Sequence, residues 1–369
     1  MKTVAHSWVM ELGMYERGKP IEEVARDLGF ESAEDIIKLA SNENALGPSP
    51  RAVRAMKRAA AQMHRYPDGS AHYLGRKLAA KLRVSPEQIL PANGSNEIIE
   101  FIGHVFLGPE TEIVMADRGF AIYHLVAALC RARTIRVPMK DFTHDLEAMA
   151  AAITPQTRVV FIANPNNPTG TMVDGPALDR FMDRVPDHVV VCIDEAYIEL
   201  LPPKLQPDTL RYIRAGRKVI LLRTFSKTYG LAGLRVGYAV ASEEGIALLN
   251  RVRQPFNVSA MALAAALAAL DDAAFIRKTR KMVQEGLAFF EENLARLGVA
   301  YVPSVVNFML VEVGQGRAVF QALQKEKVIV RAMDGYGLPR HVRITIGTRK
   351  ENEHCLRALA KVLGKSLYI

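Results

Sequence analysis

The chain has 369 residues, 49% hydrophobic and 24% charged, which is enough for a large core with a smaller companion and excludes wholesale disorder. The net charge of +9 raises nucleic-acid binding. However, the basic residues of "RAVRAMKRAA" and "RKTRKM" are mixed with apolar helix positions, interleave no aromatics and match no nucleic-acid module, so they read as solvated helix faces, some of them steering anionic substrates.

In chain order, "MKTVAHSWVMELGMYERGKP" lacks the long apolar stretch of a signal peptide or membrane span. The first forty residues read as an arm with one amphipathic stretch, "PIEEVARDLGF", ahead of the loop "LASNENALGPSP". From about Arg51 the pattern alternates. Helices are expected over 51–64, 71–82, 97–106 and 122–130, and strands at "EIVMA", "TIRVP", "RVVFIAN", "VVVCID" and "KVILLRT". Such alternation implies an α/β domain with a mainly parallel sheet and helices on both faces. Cys130, Cys192 and Cys355 are odd in number, widely spaced and without a CxxC pair. They argue for a reducing, cytoplasmic setting with neither a disulfide framework nor a metal site.

After about Pro255 the texture changes. A helical region from Met261 to Leu297 contains "MALAAALAAL", too short to cross a bilayer and suited to a buried helix against a close neighbour. "VNFMLVEV", a helix near 318–325, "VIVRAM", "HVRITIG" and a final helix from about Lys350 complete a smaller α+β domain. The expected division is an arm over 1–44 packing with the small domain, a large domain over 45–255 and a small one over 256–369.

Ligands of parallel sheets gather beyond the strands' carboxyl ends. "VVFIANPNNPTG", "VVVCIDEAY" and "VILLRTFSK" each end an apolar strand in chemically capable residues. Lys227 lies among hydroxyls and glycines in "TFSKTYGLAGLRVGY". A neutral lysine attacks an aldehyde, and the resulting Schiff base holds pyridoxal phosphate, although a Ser-Lys pair alone is equally a solvated loop. Asp194 could keep that cofactor's ring nitrogen protonated; standing alone it reads more readily as a turn cap. Asn167 and Tyr197 could hydrogen-bond the ring's phenolic oxygen. In "PANGSNEII", Gly94 precedes a helix start, so the amides around Ser95 and Asn96 can face an anion. Ser226 and Arg235 could add a hydroxyl and a permanent charge, and Phe120 could stack on the ring.

This combination resembles the fold-type I pyridoxal-phosphate aminotransferases, through Asn167 in "NNPTG", Asp194 and Tyr197 in "DEAY", and "SK" followed by "GLAGLRVGY". The resemblance extends over nearly the whole chain to the histidinol-phosphate aminotransferase family, through "GKPIEEVARDLG", "IIKLASNENALGPSP", "RYPDG", "GSNEIIE" and "VIVRAMDGYGLPRHVRITIGTRKENE". It implies that Lys227 binds the cofactor covalently and Asp194 pairs with its pyridinium. Asn167 and Tyr197 would contact its phenolic oxygen, and Ser95, Asn96, Ser226 and Arg235 would hold its phosphate. Tyr66 would reach the phosphate of the partner subunit's cofactor, making a homodimer with active sites built from two chains. Arg343 would bind the anionic end of the substrate with help from Arg331, and the "NEN" loop with Asn44 would lie on the substrate side.

The implied reaction is transamination between L-histidinol phosphate or imidazole-acetol phosphate and glutamate or 2-oxoglutarate, in histidine biosynthesis. Carboxylate and phosphate both suit guanidinium forks. The sequence departs from the family at Phe120, often tyrosine, at Asn96, often an acid, and at Ala45, where proline is frequent. "LGMYERGKP" also lacks a proline beside its tyrosine. Stacking survives a change from Tyr to Phe, whereas the arm and the "NEN" loop bear on substrate choice. An aromatic-amino-acid aminotransferase and a phosphothreonine decarboxylase-like enzyme are the nearest alternatives. A ligand-sensing regulator would need a DNA-binding module, for which the stretch before Ser41 leaves no room. A nicotinamide dehydrogenase would need a GxGxxG after a strand, which is missing.

Overall fold

The computed structural model describes residues 1–10, 12–13 and 20–367. The tyrosine of "LGMYERGKP" falls in the stretch 14–19, outside the described residues. The strands are β1 (Ile37–Lys38), β2 (Ile89–Ala92), β3 (Glu112–Ala116), β4 (Arg133–Val137), β5 (Thr157–Ala163), β6 (Val190–Asp194) and β7 (Val219–Thr224). They continue with β8 (Gly237–Val240), β9 (Tyr301–Val302), β10 (Phe308–Glu312), β11 (Val328–Ile329), β12 (Arg331–Ala332) and β13 (His341–Thr345).

The apolar runs read from the sequence assemble into one seven-stranded sheet, ordered β2-β8-β7-β6-β5-β3-β4. Strands β3 to β7 are mutually parallel where they pair. Strand β8 is antiparallel to both β7 and β2, and β2 forms that edge of the sheet. At four residues each, β2 and β8 are too short for a legible pattern, and neither was anticipated. The sheet is thus mainly parallel with helices on both faces, as expected, and its two faces bury separate apolar clusters.

The helical region from Met261 to Leu297 is two helices, Ala260–Ala269 and Ala273–Arg296. Asp272 breaks it: its carboxylate caps Phe275 N–H at 3.2 Å and accepts from Ser49 Oγ at 2.6 Å. Aspartate favours that end position over a helix interior. The first of these helices joins the core of the large sheet, with Ala262, Ala265, Ala266 and Ala269 buried beside Ala52 and Ala55 of helix Pro50–Ala60. The second begins in that core at Ile276 and ends in another cluster from Val283 to Leu294.

That other cluster backs a four-stranded antiparallel sheet, β12-β13-β10-β9. "VIVRAM" is divided between two partners: β11 pairs in parallel with β1, while β12 joins β13. The second register sets Arg331 directly opposite Arg343. Val24, Ala25, Ile36 and Ala40 bury against Ile329 and Phe320, tying the arm to this smaller unit. Among the described residues no helix is long and apolar enough to cross a membrane.

Alanine on both sides of the contact between helices Pro50–Ala60 and Ala260–Ala269 lets their backbones approach closely. Ala266→Leu is expected to overpack it and lower stability by about 1–3 kcal/mol, measured by denaturant unfolding.

Candidate active site

Three parallel strands end side by side at Ala163, Asp194 and Thr224. Beyond them, the N-terminus of helix Ser95–Phe106 and the arginines of the small sheet close a cleft of about 290 Å³. Every candidate named from the sequence lines it except Tyr66 and Asn44. Tyr66 is 82% exposed and stacks on Phe256 at 4.7 Å between ring centroids. Asn44 Nδ2 donates to Thr228 O and Thr279 Oγ1, both at 3.0 Å, and so braces the loop after Lys227.

Asp194 is buried at the foot of the cleft. Tyr123 Oη donates to its Oδ2 at 2.8 Å and the Ala196 N–H to its Oδ1 at 3.0 Å. Burial raises its pKa to about 6; these two donors and Lys227 oppose the shift, and Glu195 adds to it. No guanidinium or ammonium makes an ion pair with it among the described residues. The next residue behaves differently: Glu195 accepts from Arg223 Nε at 2.8 Å and from Thr209 Oγ1 at 2.6 Å. Successive strand-end side chains point to opposite faces. One carboxylate is therefore satisfied within the protein, and the other is presented to the cleft.

Lys227 Nζ lies 5.7 Å from the centre of the Tyr197 ring and donates to Ser41 O at 3.2 Å. Burial, then the neighbouring Arg343 and Arg235, lower its pKa to about 8, against the attraction of Glu43 and Asp194. The amine is thus far closer to its nucleophilic, basic form near neutral pH than an exposed lysine would be. Tyr197 is buried beside Phe308, ring centroids 5.4 Å apart. Burial pushes its hydroxyl up to about 12, although Arg343 and a hydrogen bond from Asn42 pull the other way.

Arg343 is buried over Phe308, its guanidinium carbon 5.2 Å from the ring centre. Its Nη2 donates to Ala40 O at 2.8 Å and its Nη1 to Asn167 Oδ1. Asn167 sits in a turn held by side-chain bonds. Asn164 bridges to the Val173 backbone through both amide atoms, and Asn166 Nδ2 donates to Thr169 Oγ1 at 2.9 Å. The peptides Asn164–Pro165 and Asn167–Pro168 are cis.

At the opposite end, helix Ser95–Phe106 starts after Gly94 with no side-chain cap, leaving first-turn amides for the cleft. Glycine is needed twice here. A Cβ on Gly94, whose φ is +80°, would meet Arg235 Nη2 at 2.7 Å, and one on Gly237 would meet Ser95 N at 2.8 Å. Arg235 Nη1 reaches Ser226 Oγ at 3.5 Å, and Ser226 Oγ also accepts from Thr224 Oγ1 at 3.0 Å. Helix amides, hydroxyls and a guanidinium converge on one point, which suits a phosphate. Phe120 lines the wall between the two ends and meets Tyr123 edge to face at 5.7 Å.

Sequence reasoning missed Asn42, Tyr123 and Tyr336, which also line the cleft. Tyr123 lies in the first turn of helix Ile122–Leu129, three residues after Phe120, and that proximity could have revealed it. Asn42 opens the "NEN" loop and Tyr336 lies in "VIVRAMDGYGLPRHVRITIGTRKENE", so the stretches that carry the family resemblance held a signal for both.

Residues 34–359 match the family described as aminotransferase class I and II. The chain is 49% identical to the histidinol-phosphate aminotransferase of Akkermansia muciniphila over 98% of this chain and 99% of that one. It is also 49% identical to the enzyme of that name from Moorella thermoacetica, over 96% and 92%. Its structure resembles that of the Sinorhizobium meliloti histidinol-phosphate aminotransferase in complex with pyridoxal-5'-phosphate, with a TM-score of 0.89 and 27% identity, covering 98% of this chain and 99% of that one. A TM-score of 0.84 relates it to the Thermus thermophilus aspartate aminotransferase with maleate, over 97% of this chain and 99% of that one; at 22% identity the likeness is one of fold. With most of its length matched, and with strand ends, helix N-terminus and paired arginines arranged around a single cleft, the chain belongs to the class I and II aminotransferases.

Proposed function

We propose that the protein is a pyridoxal-phosphate-dependent transaminase that interconverts L-histidinol phosphate and imidazole-acetol phosphate, with glutamate and 2-oxoglutarate as the other pair, in histidine biosynthesis. One observation carries the cofactor reading. A buried carboxylate, a lysine of lowered pKa and a phosphate-suited helix start face one cleft. The donor set fits pyridoxal phosphate at each end: Asp194 for the ring nitrogen, Lys227 for the aldehyde, and Ser95, Asn96, Ser226 and Arg235 for the phosphate. Phe120, which lines the wall of the cleft, suits stacking on the ring.

When bound, pyridoxal phosphate supplies an aldehyde for covalent capture of an amino group and a protonated ring that draws electrons from the substrate carbon. The chain supplies the rest. Asp194 holds the proton on the ring nitrogen. Asn167 and Tyr197 donate to the phenolic oxygen. Lys227 Nζ is the base that would take the proton from the substrate carbon and return it to the cofactor carbon on the other side of the shared nitrogen, for which its lowered pKa suits it. Arg343, with Arg331 opposite it in the sheet, grips the phosphate or carboxylate at the far end. A single guanidinium pocket thereby serves both halves of the cycle. Asn44, which braces the Lys227 loop, sits on the substrate side as a support.

We propose an arm over 1–44 packing with the small domain and a large domain that runs past the expected 45–255 boundary, because helix Ala260–Ala269 and Ile276 pack in the large-sheet core; the small domain, expected over 256–369, then starts within helix Ala273–Arg296. We also propose a homodimer, with Tyr66 reaching the cofactor phosphate of the partner subunit; its exposed stack on Phe256 suits a surface awaiting a second copy. Three unpaired cysteines, two of them buried, agree with a cytoplasmic setting.

Lys227→Ala is expected to abolish turnover. In the parent, adding L-histidinol phosphate to the cofactor-loaded protein should remove the Schiff-base absorption band saturably at low concentration. A band that ignores histidinol phosphate but responds to L-phenylalanine would overturn the substrate.

The raised pKa of Asp194 makes a stability prediction. Its carboxyl ionises near 3.8 in the unfolded chain and near 6 in the folded one. Between these values the folded state keeps a proton that the unfolded state has lost, so the contribution to stability falls as pH rises through that window. Cofactor-free Asp194→Asn should therefore be more stable than the parent at pH 7, by up to about 3 kcal/mol. The gain should shrink toward pH 4 in denaturant unfolding, while pyridoxal phosphate affinity drops. For the dimer, sedimentation should give twice the 40.8 kDa chain mass, and Tyr66→Ala should weaken cofactor binding about tenfold, the loss of one hydrogen bond to a charged group.

A further inference from the structure

Three consecutive residues of the loop between the arm and the first large helix each touch a different group of the cleft. Ala40 O accepts from Arg343 Nη2 at 2.8 Å, Ser41 O accepts from Lys227 Nζ at 3.2 Å, and Asn42 Nδ2 donates to Tyr197 Oη at 2.9 Å. The third contact has a direction. Asn42 is 2% exposed, with a left-handed backbone (φ 55°), and is held on its other sides by the small sheet. Its N–H donates to Thr345 Oγ1 at 3.0 Å, and that hydroxyl sends its own proton to Asn42 Oδ1 at 3.3 Å. Asn307 Nδ2 donates to Asn42 O at 3.0 Å. With Oδ1 engaged by Thr345, the amide presents Nδ2 to Tyr197, and an NH₂ only donates. The Tyr197 oxygen accepts that bond. Its own proton has no acceptor within hydrogen-bond distance among the described residues, and Tyr197 lines the cleft.

We propose that Asn42 is a positioning residue that turns the Tyr197 hydroxyl proton toward the cleft, so that Tyr197 donates to the cofactor's phenolic oxygen. The inference rests on the pyridoxal-phosphate reading above. It adds a group on neither the cofactor nor the large sheet, and it makes the small sheet, through Thr345 and Asn307, part of what sets the cofactor's charge. A donor at the phenolic oxygen stabilises its negative form and weakens its hold on the proton shared with the Schiff-base nitrogen. The protein-bound Schiff base then loses its proton at lower pH. Without Asn42 the Tyr197 hydroxyl is free to rotate, and that stabilisation weakens.

The test needs no turnover. Parent, Asn42→Ala, Asn42→Asp, Tyr197→Phe and the Asn42→Ala/Tyr197→Phe double variant are loaded with pyridoxal phosphate, and the pH midpoint of the Schiff-base band is read for each. Asn42→Asp keeps the side-chain shape and tolerates the left-handed backbone, which protects the measurement should the alanine variant fold poorly. Both Asn42 variants are expected to raise the midpoint, by about tenfold in proton affinity, or one pH unit. In aspartate the donor becomes a competing acceptor for the tyrosine proton. Tyr197→Phe should raise the midpoint at least as far, and the double variant should go no further than Tyr197→Phe, because the two act through one bond. Midpoints unchanged in both Asn42 variants overturn the proposal. So does a double variant whose shift is the sum of the singles, since Asn42 would then act other than through Tyr197. A parent protein that forms no Schiff-base band with pyridoxal phosphate overturns the cofactor reading, and this proposal with it.

Discussion

The constraint on which the rest of the structure depends is desolvation at the ends of three parallel strands. Removing a charge from water is costly unless a partner replaces the lost hydration. At this sheet edge the protein withholds such partners from two groups. Among the described residues, Asp194 receives two hydrogen bonds and no cation, and Lys227 donates to one backbone carbonyl. Each drifts toward neutrality, the acid upward to about 6 and the amine downward to about 8. A cationic ring nitrogen beside the first and an aldehyde beside the second would relieve both.

Glu195 shows that the same sheet edge can satisfy a buried acid when the structure calls for it. One residue along from Asp194, it is closed off by Arg223 and Thr209. The pair locks β6 to β7 and to the turn before helix Leu210–Arg214, which keeps the strand ends in register while Asp194 stays available. A structural carboxylate and a cleft-facing one thus sit in adjacent positions, separated by the pleat.

The two sheets are not independent supports for this cleft. The large sheet presents Asp194, Tyr197 and Lys227, and the small one presents Arg331 and Arg343. Between them runs the segment Ala40–Asn42, whose backbone and amide touch Arg343, Lys227 and Tyr197 in turn. The same segment follows β1, which pairs with β11, and Leu39 O accepts from Thr345 N at 2.8 Å. A shift of the small sheet relative to the large one would be felt at the lysine and at the tyrosine together, through short, directional bonds.

Much of this was legible in the chain itself. The parallel strands announce themselves as apolar runs ending in polar residues, because a strand buried on both faces admits few other side chains. Asn167, Asp194 and Lys227 stand out because each is chemically capable and each follows such a run, and Arg235 stands out through the glycine-rich stretch that joins it to Lys227. The antiparallel strands β2 and β8 were not legible, since four-residue segments carry too little pattern. The break at Asp272 was hidden by apolar and basic residues compatible with one long helix. What the tertiary structure alone decided is how groups far apart in the chain meet: Tyr123 under Asp194, Asn167 on Arg343, Asn42 on Tyr197. Local pattern reports which face of an element is buried. Which donor reaches which acceptor across 155 residues of chain depends on packing between the sheets, and no local pattern encodes it.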